Sequence, residues 1–166
     1  MTLIAEELSE AVVGLCRANG FRLATVESCT GGLVAASITD IAGSSDIFEC
    51  GFVTYSNDAK STMVGVDREL IDSEGAVSKR VALAMASGAL THSNATIAVS
   101  TTGIAGPGGG TNLKPVGLVH LAVASISHET DHFEAHFGEA SRDVIRHETV
   151  RKALSMIIDH IKAHSA

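Results

Sequence analysis

Apolar residues recur at helical spacing near both ends of the chain. In residues 3–19 they fall on one predicted helix face, and Gly20 follows as a stop signal. Residues 141 to about 161 form a second amphipathic segment of greater length. The apolar segment LVAASITDI, which ends before Gly43, predicts a further helix.

Five other segments are rich in β-branched residues or alternate between apolar and polar side chains, as strands do. Two predicted helices lie between them: NDAKSTMVG, which ends near Gly65, and KRVALAMASGALTHS, which Ser78 can cap. The predicted strands are RLATVE (22–27), IFECGFVTYS (47–56), TIAVSTT (96–102), VGLVHLAVASIS (116–127) and DHFEAHFG (131–138).

The order of these elements predicts an α/β fold. Strands and helices alternate in the first part of the chain, and two strands follow each other late in it, so we expect a three-layer α/β/α sandwich around a mixed, mostly parallel sheet. The 166 residues, 45% of them hydrophobic, suit one domain that spans residues 1–166. The sequence shows neither an internal repeat nor a linker.

The net charge limits the partners of the protein. A formal charge of −7 argues against a nucleic-acid partner, because sequence-independent binding to nucleic acid needs a basic surface.

The three cysteines lack the spacing of a disulfide framework or a zinc site, which favours the reducing cytoplasm. The start MTLIAEELSEAVV does not resemble a signal peptide, and no apolar run is long enough to span a membrane, so we expect a soluble protein without a membrane partner.

The stretch TVESCTGGL places two potential nucleophiles, Ser28 and Cys29, at a predicted corner between a strand and a helix. Free N–H groups at a helix start can stabilise an oxyanion. A thiol is the better nucleophile at neutral pH, but adjacent side chains at such a corner point in different directions, so only one can face a pocket. These residues leave open which one attacks, and whether Ser28 merely caps the helix while Cys29 packs in the core.

The stretch TYSNDAK supplies Tyr55 and Lys60 after the second predicted strand. A lysine can act as the base for a serine only when it is neutral, which requires burial to lower its pKa by about three units from its usual ~10.4. Tyr55 can relay a proton or orient a substrate. The alternative interpretation is an exposed helix lysine and a tyrosine that borders the core.

The loop GIAGPGGG offers backbone N–H groups that can approach an anion or a polar ring closely. It has neither the G-K-[ST] of a Walker A loop nor the G-x-G-x-x-G that opens a dinucleotide-binding helix. Arg142 and Arg146, four positions apart on the last predicted helix, share a face and can clamp a phosphate. A flexible loop and a solvated helix face are the alternatives.

Two histidine pairs have a spacing that places both rings on one face of an element. His132 and His136 lie on a predicted strand, and His160 and His164 lie on the last predicted helix. Because no carboxylate or thiolate accompanies them at ligand spacing, we expect no metal site and interpret them as surface histidines.

Six blocks in one order, considered together, are similar to a known family. They are ESCTGG (27–32), ITDIAGSS (38–45), GFVTYSNDAK (51–60), GAVS (75–78), TGIAGPGGG (102–110) and KPVG (114–117). They resemble the nicotinamide-nucleotide amidases of the PncC family, the stand-alone form of the C-terminal domain of competence/damage-inducible CinA proteins. The resemblance covers most of the chain. It concerns only the C-terminal domain of full CinA proteins and not their N-terminal domain.

The resemblance implies hydrolysis of nicotinamide mononucleotide to nicotinic acid mononucleotide and ammonia, a step in pyridine nucleotide recycling, with no cofactor. It implies that Ser28 is the nucleophile, that Lys60 is the general base and then the acid, and that Tyr55 assists. In the same terms, the N–H groups around Thr30, Gly31 and Gly32 are the expected oxyanion donors.

The remaining substrate contacts implied by the resemblance lie later in the chain. The Gly103 to Gly106 loop is expected to border the nucleotide, with Thr102 before it, and Arg142 is the candidate for the phosphate. Two positions depart from the family's usual pattern. Thr102 stands where serine is common. The family commonly has a glycine two residues before the late arginine, whereas here the nearest glycine is Gly138, four residues before Arg142.

Two other functions remain open from the sequence. One is a pyridine-nucleotide binding module without turnover, and the other is a serine amidase that acts on a different small amide. A homodimer is the expected assembly, because symmetric dimers are the commonest oligomers.

Overall fold

The computed structural model describes residues 5–165, which form one α/β domain. The predicted start of the first helix, at residue 3, lies outside the described residues. The helices are α1 (Glu6–Asn19), α2 (Leu33–Thr39), α3 (Asn57–Val64), α4 (Arg68–Glu74), α5 (Lys79–Thr91) and α6 (Arg142–His164). The strands are β1 (Leu23–Glu27), β2 (Phe48–Val53), β3 (Ile97–Gly103), β4 (Leu118–Ser125) and β5 (Asp131–His136).

The strands form one mixed sheet in the order β2-β1-β3-β4-β5. β1 pairs in parallel with both β2 and β3, while β4 runs antiparallel to β3 and β5. β1, β2 and β3 therefore pair in parallel, while β4 runs opposite to the other four described strands and makes the antiparallel pairs at this edge. The predicted mixed sheet is confirmed.

Helices cover both faces of the sheet because its inner strands are apolar on both sides. Leu23 of β1 packs into a core with α1, α2 and α6, and the next residue, Ala24, packs into a second core with α3, α4 and α5. The same alternation continues in β3, where Ile97 and Ala98 face opposite cores. This arrangement is the three-layer α/β/α sandwich that the sequence predicts.

One helix, α4, was not predicted from the sequence. It is short and has little amphipathic spacing, but local signals bound it: the side chain of Asp67 accepts a hydrogen bond from the Glu69 backbone N–H, and Gly75 ends it with a positive φ. Such signals, an acidic cap and a stop glycine, could have indicated the helix.

The chain order places a crevice at the end of β1. The connection from β1 to β2 runs through α2 on one face of the sheet, and the connection from β2 to β3 runs through α3, α4 and α5 on the other. The carboxyl end of a strand at such a switch point is where open α/β sheets bind ligands. Within residues 5–165, no helix has the length and apolarity required to cross a membrane.

Candidate active site

The corner after β1 is a tight turn that leads directly into α2. The backbone N–H of Ser28 donates to the carbonyl of Thr101 on the neighbouring strand at 2.9 Å. This hydrogen bond fixes the start of the turn. Gly31 and Gly32 have φ values of 58° and 102°, in a region that side chains disfavour. The glycines therefore let the chain turn from strand to helix within a few residues of Ser28.

Lys60 reaches this corner from α3. Its Nζ lies 3.0 Å from the Oγ of Ser28 and donates to the carbonyl of Thr54 at 2.9 Å. The lysine is only 1% exposed, and burial lowers its pKa below the usual value of 10.5. The negative charge of a Cys29 thiolate would act in the opposite direction and raise that pKa. The structure thus brings together the serine and the lysine that the sequence singled out.

Close packing of α3 against α5 keeps Lys60 in the interior. Gly88, in the middle of α5, touches the last turn of α3, where a Cβ would stand 2.0 Å from the carbonyl oxygen of Val64. A larger residue at this position would push the two helices apart. Gly88 lies in the middle of a helix and does not end it. Its small size is explained by the close approach of α3 to α5.

Cys29 points away from the crevice and into the core shared with α1, α2 and α6. Its side chain is 6% exposed, and burial raises the pKa of the thiol to about 12. A thiol that stays protonated and lies inside the core is a poor nucleophile. The geometry therefore favours Ser28, whose side chain is half-buried, over Cys29 as the candidate nucleophile, and the choice itself stays a prediction.

The N–H groups of the turn differ in their availability. The N–H of Gly31 donates to the carbonyl of Ser28 at 3.0 Å, so it is used within the turn. Among residues 5–165, no acceptor lies within hydrogen-bond distance of the N–H groups of Thr30 and Gly32. Both stand at the N-terminal end of α2, where the helix dipole favours negative charge. Thr30 is fully buried, whereas Gly32 is partly exposed, so Gly32 is the more accessible of these two donors, and the oxyanion role of Thr30, Gly31 and Gly32 stays a prediction.

Glu27, the last residue of β1, organises the turn from within. One carboxyl oxygen accepts from the hydroxyl of Thr30 at 2.6 Å and from the N–H of Val34 at 2.8 Å, and the other accepts from the N–H of Ala35 at 3.1 Å. The side chain is buried and caps the start of α2. Sequence reasoning missed this role, although an acid that ends a strand shortly before a helix is a signal for it.

Glu27→Gln should lower stability and activity together, because one of the accepting oxygens becomes an amide nitrogen that cannot accept. We expect a loss of about 1–3 kcal/mol in the free energy of unfolding, measured by urea denaturation. Glu10→Gln, an exposed acid on α1, is the control and should change stability by less than about 0.5 kcal/mol. Equal stabilities of the two variants would argue against the capping role.

Arg146 holds the same turn from α6. Its Nε donates to the carbonyl of Cys29 and its Nη2 to the carbonyl of Thr30, both at 3.1 Å. Two nitrogens of Arg146 therefore already bind protein oxygens, and the predicted clamp in which Arg142 and Arg146 share a phosphate stays a prediction. Its role is to fix the backbone that carries Ser28.

Arg142 and Tyr55 form a separate bridge at the mouth of the crevice. The guanidinium of Arg142 donates to the Tyr55 hydroxyl at 3.0 Å and to the carbonyl of Gly106 at 2.8 Å. Tyr55 is 61% exposed and follows β2 on the way to α3. Its hydroxyl therefore contacts Arg142, one turn before Arg146 on α6. The guanidinium keeps further donors for a ligand.

The glycine-rich loop is packed more tightly than a flexible connection. The hydroxyl of Thr102 donates to the carbonyl of Ala76 at 2.8 Å. At Gly103 a Cβ would lie 2.5 Å from Val119, and at Gly106 it would lie 2.6 Å from Val116. These positions need small residues for packing inside the protein, which the sequence alone did not reveal.

A cavity of about 590 Å³ opens beside this loop. Ser28 and Lys60 do not line it, so it is separate from the contact between the candidate nucleophile and base. Gly106, which Arg142 binds, directly precedes it in the chain. Its lining residues are 107–112, 115, 116, 139 and 140.

One of the histidines that were predicted to lie at the surface is buried. His160 is 1% exposed, so its interpretation as a surface histidine is wrong. It is buried because Ser125 at the end of β4 and Asp131 at the start of β5 both bind its ring. Strand pairing brings these residues to α6, and spacing along the sequence does not show it.

Comparisons with known proteins show which family the chain resembles. The model of the CinA C-terminal domain matches residues 5–161. A protein from Shigella flexneri named nicotinamide-nucleotide amidohydrolase PncC is 48% identical over 91% of both chains. The crystal structure of a competence/damage inducible protein from Agrobacterium tumefaciens superposes with a TM-score of 0.93 at 49% identity, covering 96% of this chain and 98% of that one.

Some other relatives are much longer proteins, while others are of similar length. A CinA-like protein from Chlorobium luteolum is 53% identical over 70% of this chain, but the match spans only 27% of that protein. A Klebsiella pneumoniae competence damage-inducible protein of known structure is matched over 99% of its chain, with a TM-score of 0.91 at 33% identity. The fold therefore occurs both alone and within longer proteins.

Proposed function

Because the chain belongs to the CinA C-terminal domain family, we propose that it is an amidohydrolase that converts nicotinamide mononucleotide to nicotinic acid mononucleotide and ammonia. The observation that supports this most strongly is the 3.0 Å contact between Lys60 Nζ and Ser28 Oγ. A buried lysine with a lowered pKa beside a serine at a strand-to-helix corner is the arrangement of an activated hydroxyl nucleophile.

The first step is attack of Ser28 Oγ on the carboxamide carbon of the substrate. Neutral Lys60 accepts the hydroxyl proton, and its remaining hydrogens can continue to donate to the carbonyl of Thr54. The pyridinium ring of the substrate withdraws electrons from the amide, which makes the carbonyl a better electrophile. The attack forms a tetrahedral intermediate with a negative oxygen.

We infer that the N–H group of Gly32, which is partly exposed, receives that oxygen, and the start of α2 adds its dipole. The Lys60 ammonium then returns the proton to the amide nitrogen as the C–N bond breaks, and ammonia leaves. An ester to Ser28 remains. Water attacks this ester, with Lys60 again as the base, and releases the carboxylate product and the free serine.

The phosphoribosyl part of the substrate is proposed to run from the corner toward Arg142. The Arg142 guanidinium already joins Tyr55 to Gly106 at the mouth of the crevice, and its free donors suit a phosphate. Tyr55 then assists by orienting Arg142, since its hydroxyl contacts that guanidinium. The 590 Å³ cavity is lined by residues that directly follow Gly106, whose carbonyl Arg142 contacts, so it lies beside the proposed phosphate position.

The phosphate can be tested by comparing nicotinamide mononucleotide with nicotinamide riboside, which lacks it. For the unchanged protein we expect kcat/KM to be roughly 10–100-fold higher for the mononucleotide, the range of a hydrogen bond to a charged group. Arg142→Ala should remove most of this preference, with the loss mainly in KM. Ammonia release measured at several concentrations of each substrate gives both constants.

Arg151→Ala is the matched control, because Arg151 is an exposed arginine of the same helix. It should keep the preference for the phosphorylated substrate. If Arg142→Ala lowered the rates for both substrates equally, Arg142 would support the loop rather than the phosphate. If the unchanged protein preferred a different small amide, the proposed substrate would be wrong.

The proposed reaction places the protein in pyridine nucleotide recycling, because it returns a deaminated nucleotide. A cytoplasmic homodimer that needs neither cofactor nor nucleic acid remains the prediction from the sequence.

A further inference from the structure

A second cluster of reactive side chains lies at the opposite end of the sheet from Ser28. β1 and β3 are parallel, and Ser28 follows the last residue of β1. Ser125, by contrast, pairs with Ile97 at the first residue of β3. The groups around Ser125 are therefore remote from the proposed active site and have no part in the proposed mechanism.

The centre of this cluster is the buried ring of His160. Its Nδ1 lies 2.7 Å from Oδ2 of Asp131, and its Nε2 lies 2.9 Å from Oγ of Ser125. His164, one turn later on α6, stands beside it with the two ring centroids 4.8 Å apart. One ligand atom from each of Asp131, His160 and His164 lies within 4.8 Å of the others.

We propose that Asp131, His160 and His164 bind a divalent transition-metal ion of the zinc type. Imidazole and carboxylate donors suit zinc, nickel and cobalt, and histidines four positions apart on a helix project toward one point. Donor atoms around a tetrahedral ion with bonds of about 2.0–2.2 Å lie about 3.3 Å apart. Asp131 and His164 are exposed and can rotate to close the remaining distance.

The ring of His160 is oriented for this role by Ser125. Metal binding at Nδ1 replaces the proton on that nitrogen and moves Asp131 from hydrogen-bond acceptor to metal ligand. The neutral ring then carries its proton on Nε2 and donates to the Ser125 hydroxyl, which can accept after rotation. Ring nitrogens of metal-bound histidines commonly have such a second partner.

His128 contributes by packing against His164. Their rings are stacked at 3.9 Å with an angle of only 7° between the planes. Two parallel rings at that separation cannot both point a nitrogen at one ion. His128 therefore restrains the ring of His164 and leaves a fourth coordination position for water.

The same contacts place Ser125, His160 and Asp131 in the order of a hydrolase triad, but burial argues against that use. Ser125 is 8% exposed and His160 is 1% exposed, so a substrate carbonyl could hardly approach the hydroxyl. Asp131 and His164, which face solvent, remain accessible to an ion. A bound ion would join the start of β5 to the end of α6 and stabilise both.

Titration of the full-length, chelator-treated protein with Zn²⁺ by isothermal calorimetry tests this site. We expect one ion per chain, and a rise in Tm of roughly 5–10 °C at an ion concentration about one hundred times Kd. Asp131→Asn and His164→Ala should each weaken binding about tenfold or more. Both positions are exposed, so the variants should fold, and ammonia release from nicotinamide mononucleotide should stay unchanged.

His147→Ala is the matched control, since His147 is an exposed histidine elsewhere on α6. It should bind Zn²⁺ as the unchanged protein does. Unchanged binding in His164→Ala would overturn the proposal, as would binding lost only in His136→Ala, which would assign the ion to β5. In the Co²⁺-loaded protein, a thiolate-to-cobalt charge-transfer band would place the ion at a cysteine and equally overturn it.

Discussion

Ser28→Ala is expected to reduce ammonia release from nicotinamide mononucleotide by about 10³-fold or more, whereas Cys29→Ala should retain kcat within a few-fold. The serine is half-buried, faces the crevice and lies 3.0 Å from Lys60 Nζ. The cysteine next to it points into the core, where burial raises the pKa of its thiol to about 12. We therefore expect the serine, and not the cysteine, to present the reactive atom to a substrate.

The comparison of the two variants is informative because their expected defects differ in kind. Ser28→Ala removes a half-buried hydroxyl while Lys60 Nζ keeps its bond to the Thr54 carbonyl, so Tm should change little while turnover is lost. Cys29→Ala removes a buried sulfur and should lower stability by about 1 kcal/mol or more, with turnover kept. Rates from an ammonia assay and Tm from thermal unfolding separate these effects.

Substrate binding provides the control for Ser28→Ala. Calorimetry with nicotinamide mononucleotide should show that the variant still binds, since Arg142 and the turn remain. An active Ser28→Ala together with an inactive Cys29→Ala would reverse the assignment of the nucleophile. Binding without any turnover by the unchanged protein would instead favour the non-catalytic binding module.

The elements of the fold were largely predictable because they depend on local patterns. The apolar spacing of α1 and α6, the runs that became β1 and β3, and the Ser78 cap of α5 are all properties of short segments. The alternation of strands and helices was enough to indicate the layers. Helix α4 was missed because its cap and stop signals enclose too few residues to show a periodic face.

The site was predictable only where the six sequence blocks identified residues. The sequence singled out Ser28 and Lys60, yet their contact depends on how deeply α3 packs, which Gly88 permits. The contacts of Arg146 with the turn join positions more than one hundred residues apart. No local pattern reports such a contact.

The cluster around His160 shows the same limit. His160 and His164 were recognised as a pair, but no carboxylate stands near them in the sequence. Asp131 reaches them because β5 folds back beside β4 and places its first residue against the end of α6. An acid from a different element completes the cluster, and only the strand pairing reveals it.

Lys60→Met should lower kcat by about 10²–10⁴-fold and remove the dependence of the rate on lysine ionisation. In the unchanged protein the neutral amine is the base, so kcat/KM should rise with pH until the pKa of Lys60 is passed. Burial lowers that pKa below 10.5, so the midpoint of the rise should lie below that value. Measurement of kcat/KM between about pH 6 and pH 11 tests this, and an unchanged rising limb in Lys60→Met would eliminate the lysine as the base.

Stability gives an independent measure of the same group. Because the pKa of Lys60 is lower in the folded than in the unfolded protein, the unfolded chain binds more protons between the two values, and stability must rise with pH across that window. Below the window the folded protein holds a charged, buried ammonium, which is unfavourable.

Lys60→Met, with a side chain of similar length and no charge, should therefore lose this rise and gain stability at neutral pH. Lys152→Met, at a half-buried position on α6, is the control and should keep the rise. A lysine whose pKa is lowered by burial, as the proposed base requires, must make the folded protein less stable at neutral pH. Urea denaturation of both variants at several pH values measures this loss of stability.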